Sequence, residues 1–172
     1  MCTNNKLDTN KNTEKTTDSD WIFMRKAIDL SLDNVDKGGG PFGAVIVKDG
    51  SVIATGVNTV VPDNDPTAHA EINAIRHACA TLGTFKLNGT VIYTSCEPCP
   101  MCLSAIYWAG IQKVFYGNTK DDAKQIEFDD SFIYEQLAMS SEHRSIECRP
   151  LMRAEALEAF RKWHDKSDKI KY

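Results

Sequence analysis

Two short segments of the sequence contain residues that commonly bind metal ions. His69 stands in PTAHAEINA, and Cys99 and Cys102 stand in EPCPMC. One imidazole and two thiolates give three protein ligands, which leave the fourth position of a tetrahedral zinc ion open for water. A structural zinc site has four protein ligands, so this ligand set is typical of a catalytic zinc site.

Glu71 is the carboxylate that we expect to move protons beside this metal. It stands two residues after His69 and therefore cannot lie far from the ion. The alternative is a non-catalytic zinc module that binds a partner or a nucleic acid. Glu71 argues against that alternative, because a structural zinc needs no proton shuttle.

The composition is that of one ordinary domain. The 172 residues are 42% hydrophobic and 26% charged, and they carry a formal net charge of −4. No apolar run approaches the ~20 residues that span a bilayer, and the polar N-terminus does not resemble a secretory signal. We therefore expect a cytoplasmic protein that binds no membrane.

The cysteines and the charges narrow the function further. Three cysteines crowd into TSCEPCPMC, which in a reducing compartment indicates metal chemistry, whereas Cys2, Cys79 and Cys148 are expected to be inert. The acidic balance disfavours nucleic acid as a partner. One basic patch occurs near the C-terminus, and we interpret it as a solvated helix face and tail; it comprises Arg149, Arg153, Arg161, Lys162, Lys166, Lys169 and Lys171.

The first third of the chain predicts a leader, a helix and a hairpin. Residues 1–20 are polar and predict a disordered leader, with the folded domain spanning 21–172. Apolar residues at helical spacing then run from Trp21 to the glycines at 38–40. Two β-runs, FGAVIVK and SVIATG, flank Asp49-Gly50 and predict an antiparallel hairpin.

Further along, strands alternate with helices. We expect strands at 90–94 and 113–117 and a fifth strand at 145–150. We expect one helix that begins at a Thr67 cap and another that begins near Cys99. Two further helices are predicted over 121–139 and 153–163. Strand–helix–strand units of this kind are parallel. The fold class is therefore α/β, with three α/β/α layers and a mixed five-stranded sheet. Both metal-binding segments should lie beyond the carboxyl ends of adjacent strands.

Longer sequence motifs around these residues resemble those of a known enzyme family. His-x-Glu with Pro-Cys-x-x-Cys is the signature of zinc-dependent nucleobase deaminases. Over roughly residues 21–172 the chain resembles the bacterial-type guanine deaminases of the cytidine deaminase superfamily, in GGPFGAVIVKDG, NDPTAHAE, YTSCEPCPMC, AIYWA and FDDSFIY. The resemblance implies a cytidine deaminase-like fold and one Zn²⁺ per subunit. It also implies hydrolysis of guanine to xanthine and ammonia, with hydroxide generated on the zinc as nucleophile and Glu71 as proton shuttle.

The same resemblance implies five substrate contacts. Phe42 would stack on the base, Asn58 would hydrogen-bond the purine, the Ala70 N–H would donate to a ring carbonyl, Trp108 would wall the pocket, and Asp130 would contact or protonate the leaving amine. Four of them have structural alternatives. Phe42 could be an ordinary strand residue, Asn58 a turn residue, Trp108 a core tryptophan and Asp130 the N-cap of a helix.

The resemblance finally implies a homodimer. Its C-terminal segment, about 150–172, would close over the neighbouring subunit's pocket, where Tyr172 would touch the substrate. A pocket closed in this way favours a free base over a polymer. Guanosine or another nucleoside, and adenosine in transfer RNA, remain alternative substrates, which room for a ribose or salt-dependent RNA binding would favour.

Overall fold

The computed structural model describes residues 16–171. Its sheet has four strands in the order β2-β1-β3-β4, namely β1 (Gly40–Lys48), β2 (Ser51–Asn58), β3 (Thr90–Cys96) and β4 (Lys113–Asn118). Three predictions lie outside the described residues: most of the polar leader, at 1–15, the inert Cys2 and the contact from Tyr172.

Helices surround this sheet. They are α1 (Asp18–Asp36), α2 (Val60–Asp63), α3 (Ala70–Leu82), α4 (Pro100–Ala109), α5 (Lys120–Gln125), α6 (Ser131–Ala138) and α7 (Arg153–Asp165), with one 3₁₀ turn at Ser141–His143. None of the helices within 16–171 has the length and apolar character needed to cross a membrane.

The first helix begins three residues before Trp21, inside the stretch predicted to be a disordered leader. Thr17 and Asp20 form a capping box: Thr17 Oγ1 accepts a hydrogen bond from the Asp20 N–H, and the Asp20 carboxylate accepts one from the Thr17 N–H at 2.7 Å. The Tyr93 hydroxyl on β3 also donates to Asp20, at 2.5 Å. These bonds fix the start of α1 to the sheet.

The strand directions bring the site together in a way that differs from the prediction. The β1–β2 hairpin and the β1–β3 pair are antiparallel, and β3–β4 is parallel. The strands β2 and β3 therefore run in the same direction with β1 between them, so they are not adjacent. Their carboxyl ends flank the beginning of β1, and all three chain segments meet at one edge of the sheet.

Helices cover both faces of the sheet, as the three-layer prediction requires. On one face α1 packs on a cluster that includes Ala27, Val45 and Tyr93. On the other face α3 and α4 pack on Ile46 and Ile92. Because side chains of a strand alternate between faces, consecutive residues of β1 serve the two layers in turn. The second cluster holds α3 and α4 on the sheet, so that both helices begin at the same sheet edge.

Three predictions about local structure are wrong. Residues 145–150 form no strand: Arg144 donates back to the carbonyls of Gln136 and Met139, Ile146 is 75% exposed, and the segment pairs with neither edge of the sheet. Thr67 does not cap α3, because the N-cap position is His69, and the Thr67 N–H and hydroxyl donate to Asp65 instead. The helix predicted over 121–139 is divided into α5 and α6.

The C-terminal part of the chain is the least buried. No residue of 124–171 is buried, and α5 and α6 are separated at Glu127, whose φ of 72° lies in the left-handed region. The predicted basic patch near the C-terminus is largely exposed, in agreement with its interpretation as a solvated face. His77, His143 and His164 are also exposed.

Candidate active site

A pocket of about 660 Å³ opens at the sheet edge where β2 and β3 end and β1 begins. Its lining comes from the beginning of β1, the beginnings of α3 and α4, and the connection between α5 and α6. Helix N-termini point at such an edge and contribute positive potential there. The pocket is therefore suited to anionic ligand atoms such as thiolates.

The three predicted metal ligands come together in this pocket. His69 is the N-cap of α3, Cys99 is the N-cap of α4, and Cys102 lies in the first turn of α4 after Pro100. The imidazole Nδ1 of His69 lies 3.6 Å from Cys99 Sγ and 3.5 Å from Cys102 Sγ. Zn–N and Zn–S bonds of ordinary length at a tetrahedral angle would separate nitrogen and sulfur by about 3.6 Å. The donor set and its spacing therefore fit a zinc ion.

The pKa values of the two thiols are shifted in opposite directions. The hydrogen bond from Cys102 lowers the pKa of Cys99 to about 4, with a further contribution from His69. That same bond, together with burial, raises the pKa of Cys102. The bond to Cys99 also raises the pKa of His69. A divalent cation between these atoms would favour both thiolates and the neutral imidazole.

Glu71 lies directly beside the ligand cluster. It is the second residue of α3, its side chain is 6% exposed, and its Oε2 accepts a hydrogen bond from Cys102 Sγ at 3.4 Å. Burial raises the pKa of this carboxyl group. A carboxylate that accepts a proton more readily than usual is suited to general acid–base work at near-neutral pH.

Phe42 and Asn58 both line the pocket. The β1–β2 register shifts between Gly40 and Gly43, so that Phe42 belongs to a bulge and not to the regular strand. Its ring meets the edge of Phe128 with a centroid separation of 5.0 Å. Asn58 is 6% exposed and accepts a hydrogen bond from the Val60 N–H through Oδ1 at 3.3 Å, which fixes the orientation of its amide.

Asp130 also lines the pocket, at the position before α6. The capping alternative does not hold, because its side chain makes no capping hydrogen bond. The neighbouring Asp129 instead accepts from the Ser131 N–H at 3.0 Å. Burial raises the pKa of Asp130. Ala70 is fully buried at the first position of α3, where a backbone N–H has no acceptor within the helix.

Trp108 does not reach this pocket. It is 73% exposed and lines a separate concavity with Lys86 and Asn88. Within the described residues, Trp108 is therefore neither part of the pocket wall nor part of the core, and both predictions for it are wrong. It follows Cys102 on α4 by six residues, which places it about 9 Å along the helix axis from the ligand.

Sequence reasoning missed several carboxylates around the pocket. Glu97, Glu127 and Asp129 join Glu71 and Asp130 in the lining, and no lysine or arginine accompanies them among the described lining residues. Glu97 is part of the CEPC motif and Asp129 is part of FDD. Glu127 and Asp129 reach the pocket only because the chain breaks between α5 and α6. The rim is thus strongly acidic.

Comparison with known proteins identifies the family. Residues 17–118 match the cytidine and deoxycytidylate deaminase zinc-binding region. The chain belongs to this deaminase family. Since the matched region contains His69, Cys99 and Cys102, the deaminase's metal site is a zinc site.

Individual relatives of the deaminase show the same relationship. The guanine deaminase of Bacillus subtilis (strain 168) is 50% identical over 151 residues, which cover 87% of this chain and 97% of the relative. The X-ray structure of a guanine deaminase from Bacillus subtilis superposes with a TM-score of 0.86 at 49% identity, covering 88% of this chain and 98% of that one. The tRNA-specific adenosine deaminase of Bacillus subtilis is 39% identical over 98 residues, which cover 57% of this chain and 61% of that protein. The cytidine deaminase-like α/β fold is thus confirmed.

Proposed function

We propose that the protein is a guanine deaminase, which hydrolyses guanine to xanthine and ammonia. The observation that carries this conclusion is the extent of the similarity to the guanine deaminase of Bacillus subtilis, which covers 97% of that enzyme. It reaches beyond the zinc-binding region at 17–118, whereas the similarity to the tRNA-specific adenosine deaminase covers 61% of that protein.

The reaction requires a nucleophile, a proton carrier and an oriented base. A zinc ion held by His69, Cys99 and Cys102 would lower the pKa of a water molecule and so supply the nucleophile at neutral pH. Glu71 would take one proton from the attacking water and pass it to a ring nitrogen, and would then take the proton of the hydroxyl added at C2 and pass it to the departing amine. Water adds to C2 of guanine, the bond from C2 to the exocyclic nitrogen breaks, and the nitrogen leaves as ammonia.

The remaining pocket residues hold the base. Phe42 offers an aromatic face, and stacking of this kind contributes about 1–3 kcal/mol per base. Asn58 and the Ala70 N–H offer donors to the ring, and Asp130 offers an acceptor for the exocyclic amine. A pocket of paired polar groups discriminates strongly against bases that leave those groups unpaired.

The acidic rim favours an uncharged base over a polynucleotide. Glu97 and Glu127 would repel the phosphates of an RNA chain, and phosphate contacts supply a large share of the affinity of nucleic-acid-binding proteins. We therefore place adenosine in transfer RNA behind guanine as the substrate.

We also propose a homodimer that exchanges its C-terminal segment, about 150–172. The helix α7 has Phe160 at 73% exposure and Trp163 at 44%, and on α6 Phe132 is 57% exposed. Apolar side chains exposed in such a group indicate an interface. A second copy of the chain would bury them and would complete the wall of the pocket. The reduced thiols that the metal requires are consistent with the cytoplasm as the compartment.

A substrate panel tests the proposed activity. Ammonia release is measured with guanine, guanosine, adenosine, cytosine and cytidine at equal concentrations. We expect guanine to be turned over far faster than the others. Release of ammonia from another base or nucleoside, but not from guanine, would overturn the substrate and leave the deaminase chemistry intact.

A further inference from the structure

Asn34 makes two hydrogen bonds at the edge of the sheet that carries the pocket, although it does not line the pocket itself. It lies in the last turn of α1 and is 6% exposed. Its Nδ2 group donates to the carbonyl of Gly40 and to the carbonyl of Asn58, each at 2.8 Å. One side-chain amide thus ties the beginning of β1 to the end of β2.

The sheet depends on this amide at that point because its own ladder is interrupted. Gly40 is paired with Asn58, but the next pair is Gly43 with Val57. The two residues between Gly40 and Gly43 form the bulge that contains Phe42. The Gly40–Asn58 pair is therefore separated from the rest of the ladder, and the backbone carbonyls there need a hydrogen-bond donor from elsewhere.

Close packing transmits the position of Asn34 to the side chain of Asn58. A Cβ atom on Gly39 would lie 2.3 Å from Asn34 Nδ2, and one on Gly40 would lie 2.9 Å from Asn58 Oδ1. The backbone at 39–40 thus lies in contact with both asparagines. The Asn58 Oδ1 atom accepts from the Val60 N–H at 3.3 Å, which leaves its Nδ2 group as the donor for the pocket.

We propose that Asn34 is a positioning residue, which sets the place from which Asn58 presents its amide to the purine. This inference rests on the proposed function, in which Asn58 binds the base. Asn73 on the opposite helix layer donates to the Val57 carbonyl and to Thr59 Oγ1, each at 2.9 Å, but makes no bond to the carbonyl of Asn58. Asn34 therefore acts on residue 58 directly.

A double-mutant cycle separates positioning from general stability. Asn34→Ala is made alone, Asn58→Ala is made alone, and the two are combined, with KM and kcat for guanine measured for each. We expect Asn34→Ala to raise KM about tenfold in the wild-type background and to change it less than about twofold once Asn58 is alanine. An equal effect in both backgrounds would overturn the proposal, because Asn34 would then act independently of Asn58.

A matched control removes a buried polar group at the other end of the sheet. Thr90 is 1% exposed, its Oγ1 donates to the Leu87 carbonyl at 2.6 Å, and it lies at the beginning of β3, away from the pocket. Thr90→Val should lower thermal stability and leave the KM for guanine unchanged. A rise in KM with Thr90→Val as large as that with Asn34→Ala would show that any loss of stability suffices, and would refute the proposal.

A readout that needs no turnover distinguishes this inference from the proposed function. The Val60 amide is bonded to Asn58 Oδ1, so its hydrogen exchange, measured by NMR, reports where that side chain is held. We expect exchange to become about tenfold faster in Asn34→Ala and to stay unchanged in Thr90→Val. Unchanged exchange in Asn34→Ala contradicts positioning, whereas wild-type protein without activity on guanine contradicts only the proposed function. If Asn34→Ala does not fold, Asn34→Ser, which keeps one donor, is measured in its place. We then expect a smaller increase in the exchange rate of the Val60 amide.

Discussion

Glu71 Oε2 accepts a hydrogen bond from Cys102 Sγ at 3.4 Å, so the buried carboxylate contacts a residue of the zinc site. The contact follows from the fold. Glu71 is in the first turn of α3 and Cys102 is in the first turn of α4, and these helices begin at the same sheet edge. The residue that we propose as the proton carrier thus lies beside the residues that would hold the zinc ion.

Replacing Glu71 should abolish turnover and leave the metal in place. We expect Glu71→Ala to lower kcat for guanine by about 10²–10⁴, because that is the usual contribution of a general acid–base. Zinc content, measured by atomic absorption, should stay at the wild-type value, since Glu71 is not among the three ligands. Glu142→Ala, an exposed carboxylate in the 3₁₀ turn, serves as the control and should keep full activity. Full activity in Glu71→Ala would show that the zinc site is structural.

Replacing Asp130 should mainly lower kcat, whereas replacing Asp129 should mainly lower the melting temperature. Asp130→Ala is expected to lower kcat at least about tenfold with no change in melting temperature, because its side chain makes no capping bond and faces the pocket. Asp129→Ala removes the acceptor of the Ser131 N–H and the ion pair with Lys124 at 3.0 Å, so it should lower the melting temperature and affect kcat less. Equal losses of activity and stability in both variants would remove the distinct role of Asp130.

The parts of the site that the sequence predicts are those set by short, local motifs. The metal ligands and Glu71 were predictable because their spacing is local: each short motif begins one helix, and helix starts meet at sheet edges. The hairpin was predictable from Asp49-Gly50, which adopts positive φ at both residues. Trp108 was placed wrongly because a motif string does not state how far along a helix a side chain lies.

Long-range contacts account for what the sequence could not predict. The break at Glu127 brings Phe128 against Phe42, and nothing in the local pattern of 121–139 indicates that break. Asn34 is separated from Asn58 by 24 residues, and only the strand order shows that its amide reaches the carbonyl of Asn58. The predicted fifth strand at 145–150 is wrong for the same reason, since a local pattern does not state whether a segment reaches the open edge of a sheet.

The bond between Tyr93 and Asp20 should make stability depend on pH. The Tyr93 hydroxyl is the largest cause that lowers the pKa of Asp20, and burial with this bond raises the pKa of Tyr93. A carboxyl group with a lowered folded-state pKa stabilises the fold above its unfolded value of about 3.9 and loses that contribution as the pH falls through the folded value. A phenol with a raised pKa stabilises the fold below about 10 and loses that contribution as the pH rises through its folded value.

The loss of stability in Tyr93→Phe, relative to wild type, should therefore be largest between about pH 4 and about pH 10. We expect a loss of about 1 kcal/mol in the free energy of unfolding at pH 7, given that Asp20 is partly exposed to solvent. The difference from wild type should shrink at pH 3, as measured by urea denaturation. Tyr116→Phe, on an exposed position of β4, is the control and should show no such pH dependence. A difference between Tyr93→Phe and wild type that stays constant from pH 3 to pH 7 would contradict the assigned bond.

The apolar face of α7 should determine the oligomeric state. Phe160 is 73% exposed, and Trp163 lies one turn further along the same helix. We expect Phe160→Glu to convert a dimer into a monomer of 19.2 kDa in sedimentation equilibrium, because a charge on this face cannot be buried against a second copy without a partner. Activity should fall with the dimer if the exchanged segment completes the pocket. Lys162→Glu, which changes an exposed charge on the same helix, should remain dimeric. A wild-type protein that sediments as a monomer at all concentrations, with full activity on guanine, would show that the pocket is complete within one chain.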